Sequence, residues 1–311
     1  MRPVQPQVMP AASPTSSEGV VPTLAELIAL RGTAVRGRSR RRGRQGVSGQ
    51  AASAMRGRGM EYAESREYVA GDDARHIDWK LSARTNATQT KTFQTERERV
   101  TLIVADTSAA LYFGTRVRFK SVQAARAGAV AVWAALREGD RLAALRGTRE
   151  ESPVPPAGGT RGALRVLDAL VRWYREPPAA DAGLPTALEQ AGRLAHPGAR
   201  VVVMADPASA LAVPAAIWSA LSMHVDVHLI LLVDPLELAP SACVLPLATP
   251  DGRLELDLAS ASTREAWHAA FIAPVETLCR MLPGRRVRVQ VLSSDAPSDA
   301  WLNGGSGGAQ R

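Results

Sequence analysis

From position 100 onward the chain alternates between short, unbroken apolar runs and longer stretches with helical spacing. "VTLIVADTS" (Val100 to Ser108), "GDRLAALRG", "ARVVVMADP" and "VDVHLILLVDP" are apolar over several consecutive residues and end in small or acidic ones. Such runs suit strands buried on both faces. Between them the pattern predicts helices over Val117 to Glu138, residues 162 to 175, Pro185 to Ala195, the stretch "ASALAVPAAIWSALS", and Ser262 to Met281. "CVLPLATPDGRLELDL" places Asp251-Gly252 between two strand-like runs, a hairpin signal. "RRVRVQVLSS" reads as a last strand. Strands alternating with helices predict an α/β fold: a doubly wound, mostly parallel sheet with helices on both faces.

The first 99 residues read differently. Residues 1–20 are rich in Pro, Ser and Ala without periodicity and are expected to be disordered. Residues 21–99 combine a short amphipathic helix, "LAELIAL", with a basic arm and a charged motif module. The α/β domain is then expected over 100–295, followed by a flexible tail over 296–311.

Charge changes the picture locally. The formal net charge of +8 includes six Arg within "RGRSRRRGR" (Arg36 to Arg44), so the rest of the chain carries only +2. The basicity is therefore a local arm, and a nucleic-acid-binding body is disfavoured. Cys243 and Cys279 form no paired framework and are expected to be inert core thiols in a reducing cytoplasm. The most apolar stretch is interrupted by Asp206, Pro207 and Pro214, so no membrane span is expected.

Candidate chemistry lies where strands end. Asp106 in "ADTSAAL" and Asp206 in "MADP" fall at the carboxyl ends of two buried runs, where open α/β sheets bind ligands. D-T-S-A-A approximates D-x-S-x-S, in which an Asp and two hydroxyls help to hold a divalent ion. With Thr186 from "GLPTALEQA", the set Asp106, Ser108, Thr186 and Asp206 describes a weak, degenerate magnesium site. Ala110 at the last hydroxyl position removes one ligand, and caps formed by the two Asp on neighbouring loops are the favoured alternative. His224, Asp226 and His228 alternate along a strand start, more simply as a solvated face than as metal ligands. No phosphate-binding G-x-x-x-x-G-K-[ST] occurs, so nucleotide chemistry belongs to any partner.

The module between Tyr62 and Arg84, "YAESREYVAGDDARHIDWKLSAR", holds five acids against four bases. Near-balance predicts carboxylate–guanidinium pairing, with Tyr68 and Trp79 as an apolar floor beneath it. Its core, R-x-Y-x-x-G-D-D-x-R-x-I-D-W (Arg66, Tyr68, Gly71, Asp72, Asp73, Arg75, Ile77, Asp78, Trp79), is followed by Ser82 to Arg84, Phe93 and Glu96. With "DPLELAP" (Asp234 to Pro240), this run closely resembles the signature of the domain-of-unknown-function 58 family over about residues 22–295. The resemblance implies a von Willebrand factor A-like fold. It also implies a bacterial accessory protein that acts with a MoxR-type AAA+ ATPase on unknown clients, and it brings no established enzymatic activity.

The expectation is therefore a cytoplasmic, non-enzymatic adaptor with no certain cofactor, whose interaction residues are Arg66, Tyr68, Gly71, Asp72, Asp73, Arg75, Asp78, Trp79 and Arg84. The rivals are a metal-dependent hydrolase using Asp106 and Asp206, and a nucleic-acid binder acting through the Arg-rich arm.

Overall fold

The computed structural model describes residues 19–36, 61–69, 72–94, 99–148, 150–178, 181–249 and 252–303. The chain divides into two units, residues 1–42 with 99–311 and residues 43–98. In chain order come α1 (Leu24–Ala29) and α2 (Arg31–Arg36) of the larger unit, then β1 (Glu61–Glu67), α3 (Trp79–Thr85) and β2 (Gln89–Gln94) of the smaller. The larger unit resumes with β3 (Val100–Ala105), α4 (Lys120–Arg137), β4 (Arg141–Arg146), β5 (Val154–Ala157), α5 (Gly159–Trp173) and α6 (Gly183–Leu194). Next are β6 (Arg200–Ala205), α7 (Pro207–Leu211), α8 (Ala215–Ser222), β7 (Asp226–Val233) and α9 (Pro235–Leu238). Last are β8 (Val244–Thr249), β9 (Gly252–Asp257), α10 (Ala261–Trp267), α11 (Ala273–Met281) and β10 (Val287–Ser293).

The six-stranded sheet has the order β10-β7-β6-β3-β4-β5. Five strands run parallel and β5 pairs antiparallel at the edge. Alternate residues of each central strand enter opposite layers, because successive side chains of a strand point to opposite faces. Ile103, Val202, Met204, Ile230 and Leu232 pack with α4 and α5. Leu102, Val104, Val201, Val203, Leu229 and Leu231 pack with α6, α8 and α11. Helix α4 is buried along most of its length, and a Cβ on Gly128 would fall 2.9 Å from Leu170 Cδ1, so glycine permits the close packing of α4 on α5.

The apolar runs named from the sequence are the parallel strands; β8 and β9 pair antiparallel as the hairpin signal suggested, with Gly252 opening β9 opposite Thr249, while Asp251 lies outside the described residues. Several features differ. The stretch from Ala208 to Ser222 forms two helices, α7 and α8, because Pro214 lacks the N–H and the freedom in φ that a continuous helix needs. The strand β5, with Pro155 and Pro156, was not legible; proline is tolerated in a sheet at such an edge. Helix α1 belongs to the larger unit: Leu27 is fully buried, its carbonyl accepts the Trp133 indole N–H at 2.9 Å, and Glu26 pairs with Arg126. The segment expected to be a flexible tail continues the fold as far as Asn303, with Trp301 buried in the core. Both cysteines are exposed rather than core residues, Cys243 beside the hairpin and Cys279 on the outward side of α11. Among the described residues, no helix is long and apolar enough to cross a membrane.

In the smaller unit β1 and β2 are antiparallel, with a bulge between Tyr62 and Glu64. The segment between them closes back on β2: Asp78 N–H donates to the Gln89 carbonyl, and the Ser82 hydroxyl joins the Asp78 carbonyl to the Gln89 N–H, each at 2.8 Å. The Arg-rich arm beyond Arg36 and Gly71 of the signature lie outside the described residues.

Candidate functional site

From β3 the chain crosses to β4 on one side and later to β6 on the other, so the connections leaving β3 and β6 diverge at their carboxyl ends. Asp106 and Asp206 follow directly on these two strands. The Asp206 N–H donates to Asp106 Oδ2 at 2.9 Å, while the Ser108 N–H donates to Asp106 Oδ1 at 3.0 Å and the Ser108 hydroxyl to Oδ2 at 3.2 Å. Burial pushes the Asp106 carboxyl up to about 6, against the pull of those backbone N–H groups.

A lysine completes the constellation. Lys120 is the first residue of α4, where the helix dipole disfavours a cation, and it is 1% exposed. Two carboxylates offset both penalties: Nζ donates to Asp206 Oδ2 at 2.7 Å and to Glu237 Oε1 at 2.6 Å. Burial alone would lower the Lys120 pKa, but the two anions outweigh it and raise the value, so the ammonium stays charged.

The carboxylates are themselves held by helix starts. Asp206 caps α7, its Oδ1 accepting the Ala208 N–H at 2.9 Å. Asp234 and Glu237 form a capping box on α9, in which Glu237 Oε2 accepts the Asp234 N–H at 2.8 Å. Asp234 also receives the hydroxyls of Thr115 at 2.5 Å and Ser294 at 2.7 Å. Burial would raise its carboxyl, but these hydrogen bonds hold it below the ordinary value. The "DPLELAP" element thus shapes a tight turn whose glutamate reaches the buried lysine.

Above this floor lies a cavity of about 460 Å³, lined by Lys120, Asp206 and Glu237 and walled by Phe113, Leu256, Trp267 and Phe271 with several alanines, Ala110 among them. Asp106 is not part of its lining. The Trp267 and Phe271 rings lie 4.5 Å apart between centroids, and the Trp267 indole N–H donates to the Glu237 carbonyl at 3.0 Å.

This donor set does not fit a divalent ion. The Thr186 hydroxyl donates to the Ala182 carbonyl of its own helix at 2.8 Å, and the Ser108 hydroxyl is turned onto Asp106. Asp206, the one of the four that faces the cavity, is bound to an ammonium where a metal would need a free oxygen. Among the described residues, no group of three or more His, Cys, Asp or Glu could hold a metal. His228 sits 3.2 Å from Asp226, which also faces Arg288 and Arg200, as an ionic cluster at the opposite end of the sheet.

The described signature residues gather in the smaller unit, where three aspartates shape turns and caps. Arg66 pairs with Asp72 at 2.6 Å, and the other Asp72 oxygen accepts the Val69 N–H at 3.1 Å. Asp73 accepts the Arg75 N–H, and Asp78 caps α3 through the Leu81 N–H. Lys91 approaches Asp78 only to 3.9 Å. Trp79 is 71% exposed and does not form the apolar floor expected of it; Tyr68 is half-buried, and Arg75 and Arg84 are exposed.

The family model described as "Protein of unknown function DUF58" matches residues 64–274, from the signature through the cavity wall. The chain belongs to the DUF58 family. Uncharacterized proteins of Mycobacterium bovis and Mycobacterium tuberculosis are each 30% identical to this DUF58 chain over 151 residues. The match covers 48% of either sequence, so the chain spans about half the length of the curated relatives it matches. Among solved structures, an aerotolerance-related membrane protein from Bacteroides fragilis, carrying multiple mutations to serines, aligns with a TM-score of 0.40 at 14% identity. That alignment covers 66% of this chain and 94% of the other.

Lys120 and the aromatic wall were not among the residues singled out from sequence. One signal was present: a lysine near the start of a long, Ala- and Val-rich helix, where a cation is disfavoured without acidic partners.

Proposed function

We propose that this DUF58 protein is a non-enzymatic accessory that binds client proteins for a MoxR-type AAA+ ATPase, working in the cytoplasm through a von Willebrand factor A-like domain. One observation carries the reading. The ionic groups at the carboxyl edge of the sheet are spent on one another, with Lys120 held between Asp206 and Glu237 beneath an apolar cavity. That arrangement favours recognition, since a reaction needs a nucleophile or base free to meet substrate. Asp106, whose raised pKa is the kind of shift found at active sites, is enclosed by hydrogen bonds from Asp206, Ser108 and Ser209 and lies off the cavity. The ATPase enters through the resemblance of the Arg66–Trp79 signature, and the lack of a G-x-x-x-x-G-K-[ST] run in this chain is in keeping with nucleotide hydrolysis by a partner.

The test is affinity purification of the tagged full chain from its native host, with and without nucleotide. Recovery of a MoxR-type ATPase supports the accessory role. Recovery of nucleic acid alone, or of no ATPase under either condition, contradicts it.

A further inference from the structure

The accessory reading leaves open what the cavity recognises. We propose that it takes an uncharged apolar side chain of a partner polypeptide together with an adjoining backbone carbonyl, which accepts a hydrogen bond from Lys120 Nζ. This deepens the accessory reading and rests on it for the source of the segment.

Three features select that chemistry. The volume, about 460 Å³, is that of a ligand site, and the walls are aromatic and aliphatic. An ammonium has three donors, and Lys120 uses two, on Asp206 and Glu237. Its third N–H has no acceptor among the described residues, although the side chain is 2% exposed and lines the cavity. An acceptor supplied from the cavity would satisfy it.

Charge excludes the alternatives. Two carboxylates against one ammonium leave the floor at a formal net −1, which repels an anionic group. A cation would meet an ammonium, and each of the four carboxylate oxygens already receives a donor: Ala208 N–H and Lys120 on Asp206, Lys120 and Asp234 N–H on Glu237. A neutral acceptor is the partner that costs no charge burial.

The wall is also locally unusual. His268–Ile272 forms a π turn between α10 and α11, in which the Ala273 N–H donates to the His268 carbonyl five residues back. Pro274 follows and has no N–H with which to continue the ordinary ladder. Single π turns recur at functional sites, and this one carries Ala270 and Phe271 into the cavity lining.

The experiment titrates the full-length protein with N-acetyl-phenylalaninamide while following the Trp267 indole N–H by NMR. N-acetyl-phenylalanine supplies the anionic comparison, phenylalaninamide the cationic one, and toluene the apolar ring without a carbonyl. The neutral amide is expected to shift the Trp267 signal saturably and to bind at least about tenfold more tightly than the other three, the margin set by one hydrogen bond to a charged donor. Ala266→Trp should abolish the shift while the remaining spectrum stays native; Ala270→Trp serves if the first variant does not fold.

An unresponsive Trp267 up to the solubility limit overturns the proposal. So does equal binding of either charged probe or of toluene, or an undiminished shift in a folded cavity-filling variant. The two readings fail separately. A missing ATPase in the purification overturns the accessory role whatever the probes do, whereas an unresponsive Trp267 overturns the cavity assignment even when the ATPase is recovered.

Discussion

Lys120 and Arg66 each meet a carboxylate at nearly the same distance, 2.7 Å to Asp206 and 2.6 Å to Asp72, in very different surroundings. The lysine is almost wholly buried and has a second carboxylate, Glu237. The arginine side chain and its partner remain 28% and 21% exposed, and the same aspartate also closes a local turn through the Val69 N–H. Water can replace the arginine's partner at modest cost. Nothing comparable replaces the lysine once two carboxylates have been buried around it. Equal geometry therefore does not mean equal energetic weight, and a stretch rich in charge along the chain need not be the one where a single charge weighs most.

The largest expected effect is at Lys120. Lys120→Met should cost about 3–5 kcal/mol, because it leaves Asp206 and Glu237 buried without a counter-ion. Chemical denaturation measures this loss, and a loss below about 1 kcal/mol would remove the contrast with Arg66.

Asp106 gives the next effect, and its sign is fixed. Its folded-state pKa of about 6 lies above the ordinary 3.8, so the folded protein binds a proton more tightly than the unfolded chain over that interval. The contribution of Asp106 to stability should therefore fall as pH rises from 4 to 6. Between pH 4 and 7, Asp106→Asn should gain about 3 kcal/mol relative to the wild type. A pH-independent difference between the two proteins would place the carboxyl at an ordinary pKa.

Smaller effects sharpen the comparison. Glu237→Gln keeps one of the two acceptor oxygens, turns an NH2 onto the other donor and removes one charge, and should cost about 2 kcal/mol. Arg66→Met should cost at most about 1 kcal/mol, read from hydrogen-exchange protection of β1 and β2, and should decline further with salt. An Arg66 effect as large as that of Lys120 would break the distinction.

The sheet was legible because buried parallel strands are continuously apolar, and the runs from Val100, Arg200 and Val225 stand out without any knowledge of their neighbours. Asp106 and Asp206 were legible for a related reason, since strand ends mark the ligand edge. Their partner was not. Lys120 lies 86 positions before Asp206 and 117 before Glu237, and no local spacing brings those residues together. The sequence also suggested ligation by Thr186, whose hydroxyl found a nearer acceptor in the Ala182 carbonyl. In the signature, the aspartates looked like ion-pair partners, and Asp72 does pair with Arg66; each of Asp72, Asp73 and Asp78 also accepts a backbone N–H of its own turn, which a short carboxylate reaches easily.

The central claim is that the Lys120 ammonium supplies the positive charge at the sheet edge and leaves no place for a divalent ion beside Asp106 and Asp206. Titration of the folded protein with Mn²⁺, followed by paramagnetic broadening of the Ser108 and Ala208 amide signals, tests it most directly. No selective broadening of these signals at millimolar Mn²⁺ is the expected result; selective, saturable broadening at submillimolar Mn²⁺ would contradict the account.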